Sequence, residues 1–206
     1  ELAPAVAYAA LMTKKTDKNL ALHVRESDYD RFLAIQLAPP ALRPGLYAIT
    51  ALSSELARIA ETVSEPMLGH IRLAWWREAL EEIISGKAPR NHPVVLALAE
   101  LYAHDPAMFT HAFTMIEGRA VDLDESLLAQ ESDWLAYIDK TAGALHLAWA
   151  QLLDPVAAAQ EQAHILAQAR QYAVAGLVRA IPRLSPILSQ PPALVLCVVG
   201  ADRRAA

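Results

Sequence analysis

Apolar positions recur at three- and four-residue steps along most of the chain, and that period predicts helices separated by prolines. "SDYDRFLAIQLA" (27–38) sets Phe32, Ile35 and Leu37 behind an acidic first turn, and Pro39 and Pro40 close it. "RPGLYAITALSSELARIAETV" predicts a helix from about Leu46 to Val63, with Ile49, Leu52, Leu56 and Ile59 on its apolar stripe. Ser64 is expected to cap the next helix, with Glu65 and Pro66 in its first turn and Gly86 stopping it after Ser85. Helices over 92–104 and 106–123 divide at Pro106. A long one over 132–153 starts from a Ser or Asp cap, and another over 155–181 ends at Pro182. No alternation of strand type competes with this period. The pattern therefore predicts an all-α fold, an antiparallel helical bundle with short loops.

Composition agrees: glycine is scarce at seven residues, and a 54% hydrophobic content supplies a large core. At 206 residues one medium domain, or at most two small ones, is expected. A net charge of -5, with no basic run, argues against nucleic acid as a partner. One cysteine, Cys197, builds neither an internal disulfide framework nor a thiolate metal site, and fits a reducing compartment. The longest apolar runs, such as "ALVLCVV" at 193–199, fall far short of the roughly 20 residues that span a bilayer. Residues 1–24 are read as an N-terminal extension, 25–183 as the helical domain, and 184–206 as a proline-rich tail without helical period. Met12 is the expected natural start, so 1–11 is read as non-native or upstream sequence without the cationic leader of a secretory signal.

Four segments, "DRFLAIQLAPP", "GLYAITALSSELARIAETVSEPMLGHIRLAWWREAL", "EGRAVDLD" and "AGLVRAIP", together resemble the squalene/phytoene synthase family. Within it they look most similar to the branch that includes the respiratory complex I assembly factor. "SEPMLGHIRLAWWR" is the most specific of these stretches. The resemblance implies an isoprenoid-synthase-like bundle with a central cavity, here expected to be C-terminally incomplete. Authentic synthases hold magnesium between two aspartate-rich clusters, because a hard divalent ion wants several carboxylate oxygens and one helical turn aims two carboxylates alike. In this chain the first cluster falls on "SSELARIAE", where Arg58 stands at about the place of an aspartate and Glu55 is expected to pair with it. The second should follow "AGLVRAIP", yet residues 162–201 contain neither Asp nor Glu.

Candidate ligand-cavity residues are Tyr47, Glu55, Arg58, Arg72, Trp75, Trp76, Arg77 and Arg179. As a ligand wall, the arginines would grip a diphosphate while the tryptophans line a prenyl cavity. As structure, the tryptophans are core and Arg77 pairs with Glu81 one turn on. Adjacent helix positions differ by about 100°, so Trp75 and Trp76 are expected to face different directions. Glu117, Arg119 and Asp122 form a charged cluster in which Arg119 and Asp122 suit a local ion pair better than a metal site. His104, Asp105 and His111 lack the spacing of a zinc site, His70 and His146 read as core or partner contacts, and no metal residue is assigned.

Two functions follow from the resemblance. In the first, the degenerate clusters make a pseudoenzyme, a transferase-like chain acting through a protein partner (a respiratory complex subunit or assembly factor) in complex I assembly, with an isoprenoid-type ligand. In the second, the chain is a magnesium-dependent prenyltransferase coupling two prenyl diphosphates in isoprenoid, carotenoid or hopanoid biosynthesis, its second cluster missing from this sequence. The implied location is a bacterial cytoplasm or the mitochondrial matrix, with at most peripheral contact with the inner membrane.

Overall fold

The computed structural model describes residues 14–123 and 130–184, with side chains for 20–123, 130 and 132–176, and its regular elements are all helical. In order they are α1 (Lys14–Ser27), α2 (Tyr29–Leu37), α3 (Arg43–Ala57), α4 (Ile59–Thr62), α5 (Pro66–Ile84), α6 (Pro93–His104) and α7 (Met108–Arg119). A 3-10 turn (Ala120–Leu123) ends α7, and then come α8 (Glu131–Ile138), a π-helical turn (Asp139–Gly143), α9 (Ala144–Leu153), α10 (Pro155–Gln160) and α11 (Gln162–Leu184). The all-α, isoprenoid-synthase-like bundle expected from the sequence is present.

Local chemistry sets most boundaries. The Asp28 carboxylate accepts the Arg31 backbone N–H at 3.0 Å and starts α2. Pro44 sits in the first turn of α3, where a missing N–H costs nothing, so this helix begins at Arg43 rather than Leu46. It also stops sooner than predicted: the chain turns at Arg58 and resumes as the short α4. Glu65, not Ser64, occupies the cap position of α5, because Pro66 takes the first helical place; no side-chain hydrogen bond serves this cap. Gly86, at φ 75°, carries the chain out of α5. Gln130, rather than Ser132 or Asp133, caps α8 in a reciprocal capping box with Asp133. The predicted 132–153 helix is interrupted by the π turn, and the predicted 155–181 helix breaks at Glu161 and then runs past Pro182 to Leu184. No helix was predicted over α1, yet its Leu20 and Val24 are buried in the core.

That core surrounds α3, on which Gly45 to Ser53 are all buried. Helices α1, α2, α6, α7 and α9 pack around it. Small residues (Gly45, Ala48, Ala51, Ser53) let these neighbours approach, while Leu46, Ile49, Leu52 and Leu56 fill the space between them. The polar intruder Thr50 is satisfied: it donates to the Leu46 carbonyl at 2.6 Å and accepts from Trp149 Nε1 at 3.0 Å, tying α3 to α9.

A second close approach joins α7 to the π turn. A Cβ on Gly118 would lie 2.8 Å from Lys140 Cβ, 2.9 Å from Thr141 Cγ2 and 3.1 Å from the Lys140 carbonyl carbon. A Cβ on Gly69 would meet only the tip of the Leu123 side chain. Gly118→Ala is therefore expected to destabilise by about 1–3 kcal/mol, through overpacking against backbone that cannot yield. Gly69→Ala should cost less, since the Leu123 tip can rotate. Urea midpoints of the two variants check this order, and a stabilised Gly118→Ala would disprove the tight contact.

Candidate functional site

Where α3 leaves the core its residues turn polar, and two depressions flank that end. The first is a recess of about 280 Å³ between the α3–α4 junction, α5 and the loop before α6. Glu55, Arg58, Thr62, Arg72, Trp75, Trp76 and His92 contribute to its lining. Arg72 Nη1 donates to Thr62 Oγ1 at 2.7 Å. The indoles of Trp75 and Trp76 lie 5.1 Å apart at 88°, and the His92 ring meets them at 5.7 Å and 5.1 Å, also edge-on. Behind this wall Arg90 stacks over Trp75 at 5.1 Å, donates to the Trp75 carbonyl at 3.3 Å, and binds Glu82 at 2.7 Å and Glu78 at 3.0 Å. Those carboxylates push the Arg90 pKa further up.

The second depression is a polar cleft. One part, about 490 Å³, lies between α1, α2, α3 and α7, lined by His23, Glu26, Asp28, Arg31, Arg58, Glu61 and Arg119 among others. A second part, about 320 Å³, shares Asp28, Arg31, Ser53 and Arg119 and extends along the π turn to Tyr137, Thr141 and Tyr172. Asp28 and Arg31 form an ion pair, and Arg31 also stacks over Tyr172 at 5.0 Å. Arg119 Nη1 donates to Asp122 Oδ2 at 3.0 Å and to the Tyr137 hydroxyl at 2.8 Å. Burial drives the Tyr137 pKa well above its usual value, so the phenol stays protonated. Between the two depressions, Glu55 Oε1 stands 3.4 Å from the buried His23 Nε2 without hydrogen-bond geometry.

The recess brings together Glu55, Arg58, Arg72, Trp75 and Trp76 from the candidate residues, and Arg58 also reaches the cleft. Both tryptophans contribute to the recess lining, but Trp76 is buried in the core while Trp75 is only partly buried against it. Glu55 meets His23 rather than Arg58. Arg77 pairs with Glu117 of α7 at 3.5 Å and stacks over Phe113, in place of the expected Glu81. Glu117 is thereby turned toward Arg77 and Lys140, away from the Arg119–Asp122 pair. Tyr47 is buried and bonded to Gln36 Nε2, with burial raising its pKa, and lines neither depression. Arg179 lies on α11, but its side chain is outside the described residues. Sequence reasoning missed His92, Thr62, Asp28, Arg31 and Tyr137. Only Asp28 carried a local signal, as a helix cap; the others arrive from separate elements.

Two measurements bear on this geometry. Arg119 and Asp122 are 19% and 18% exposed, so Arg119→Met strands a half-buried carboxylate and is expected to cost about 2–3 kcal/mol. Arg77→Met breaks a pair exposed at 41% and 51% and should cost no more than about 1 kcal/mol, both read from urea midpoints. Burial also lowers the pKa of His92, His111 and His146. With folded values below the unfolded value of about 6.5, the unfolded chain takes up protons first as pH falls. Stability should therefore be full above about pH 6.5 and decline as pH drops through the lower folded values. A flat urea midpoint from about pH 7.5 to 5 would contradict this.

Comparison with known proteins supplies the lineage. The squalene/phytoene synthase profile matches residues 24–185. The chain is 26% identical over 139 residues to "NADH dehydrogenase (ubiquinone) complex I, assembly factor 6" of Bos taurus, covering 68% of this chain and 41% of that protein. For the Homo sapiens protein of the same name the identity is 25% over 122 residues, covering 59% of this chain and 36% of the relative. The chain thus spans about two fifths of the length of these relatives. With the profile covering most of its length and an all-helical bundle beneath it, the chain belongs to the squalene/phytoene synthase family.

Proposed function

We propose that this chain is a non-catalytic member of its family that works through a protein partner, a respiratory complex subunit or assembly factor, in the assembly of complex I. The observation that carries the reading is the charge pairing in the cleft. Asp28, the half-buried carboxylate of the cleft, is held by Arg31, and the cleft's Arg119 is itself paired with Asp122 beside it. Glu26 and Glu61 are exposed, and Arg58 lines the cleft beside them. Magnesium wants near-octahedral oxygen donors, and an arginine among them opposes it electrostatically. No group of three or more potential metal ligands forms among the described residues. These residues do not fit the ion, and no catalytic step is derived through it. The names of the similar proteins support the assembly role. The cleft would then persist for shape or for an isoprenoid-type ligand. No described helix is long and apolar enough to cross a membrane, and contact with a bilayer is taken to be peripheral at most.

The alternative is magnesium-dependent condensation of prenyl diphosphates, which family membership and the surviving cleft favour. Incubation of the protein with farnesyl or geranylgeranyl diphosphate and magnesium separates the two readings. The expected outcome is no pyrophosphate above background, alongside co-purification with complex I assembly intermediates. Sustained pyrophosphate release would overturn the first reading.

A further inference from the structure

The recess beside α5 has a chemistry distinct from that of the cleft. Arg31, Arg77, Arg90, Arg119 and Arg170 each form an ion pair with a carboxylate. Arg58 and Arg72 have no such pair among the described residues, and both line this one recess. The recess lining thus holds two arginines, Arg72 and Arg58 (which also borders the cleft), and one carboxylate, Glu55, whose Oε1 stands beside His23. Thr62 holds one N–H of Arg72 and so restrains the fork while leaving its other donors free. The opposite wall is aromatic and braced, since Trp75, Trp76 and His92 pack edge to face and Arg90 pins Trp75 from behind. His92 Nδ1 accepts the Val94 N–H at 3.3 Å, so the neutral ring carries its proton on Nε2 and adds a further donor.

We infer that this recess binds a compact organic anion, a flat apolar body bearing one carboxylate or phosphate, with Arg58 and Arg72 taking the charge and no metal ion required. The planar fork of arginine matches either head group. Flat apolar bodies suit an indole wall. A volume of about 280 Å³ lies just below the roughly 300 to 1,000 Å³ of ligand pockets and suits a compact ligand. The inference stands apart from the assembly reading, because a ligand site here requires neither a protein partner nor catalysis.

The test is titration of the protein with 2-naphthoate, 2-naphthyl phosphate and the neutral 2-naphthamide, followed by NMR of the four tryptophan indole N–H signals. Trp75→Phe and Trp76→Phe assign the two signals of interest. At least one acid should shift those two and leave Trp134 and Trp149 in place; the tighter of the two acids identifies the head group. The amide should bind about tenfold more weakly, and Arg72→Gln and Arg58→Gln should each weaken the acid by about tenfold. Arg72→Lys should retain part of the affinity, and Arg25→Gln, outside the recess, all of it. Unchanged thermal midpoints separate lost binding from lost folding. Equal binding of acid and amide, indifference to both arginine variants, or no shift at millimolar ligand would overturn the inference.

Discussion

Burial of α3 on every side is the constraint from which the rest of the molecule follows. Five helices pack around it and Gly45 to Ser53 are all buried, so small or well-shaped side chains predominate there. Thr50 is fully enclosed there, so its hydroxyl must be bonded, and Trp149 reaches across from α9 to do so. Beyond Ser53 the neighbours fall away and the helix emerges. Ser54, Glu55, Ala57 and Arg58 become partly or fully accessible, and both depressions form around them. The site is thus placed by where the packing ends.

The two depressions answer their charges differently. At the cleft, Arg31 is paired with Asp28 and Arg119 with Asp122, and aromatic rings hold both arginines further: Arg31 by Tyr172, Arg119 by Tyr137. Groups this far out of water need partners, and once paired they have little left for a third ion. In the recess the balance is unfilled, with cationic donors on one side and π faces on the other. Among the described residues, the half-buried charges at the cleft are paired, its exposed charges (Glu26, Glu61 and Arg58) are not, and the recess places two arginines beside aromatic rings. Fold membership alone does not decide chemistry, and the charges in each depression do.

The π turn contributes to both the packing and the cleft. Its extra backbone residue per turn lets Asp139–Gly143 bulge within the α8–α9 run, with Gly118 of α7 pressed against it. Asp139 is left free to pair with Arg170 of α11 at 2.6 Å, and Ala142 offers its carbonyl to His146 Nδ1 at 2.7 Å. Thr141 and Ile138 thereby line the cleft while α11 stays docked over it.

The helical period, the prolines and the glycine at 86 determined that the chain is an all-α bundle and where most helices start and stop, because these signals are local in the chain. They failed where local cues competed: Gln130 displaced Ser132 as a cap, and the polar face of α1 concealed the burial of Leu20 and Val24. Family resemblance, the break in the first acidic cluster at Arg58 and the lack of acids over 162–201 were also legible, since each is a matter of residue identity. Partner choice was decided only in three dimensions. Arg77 passes over Glu81 on its own helix for Glu117 on α7, Glu55 meets His23, and His92 meets both tryptophans from the loop before α6. Long side chains reach across helix gaps farther than one turn along the axis, so contact between them depends on how the helices pack, which no single segment contains.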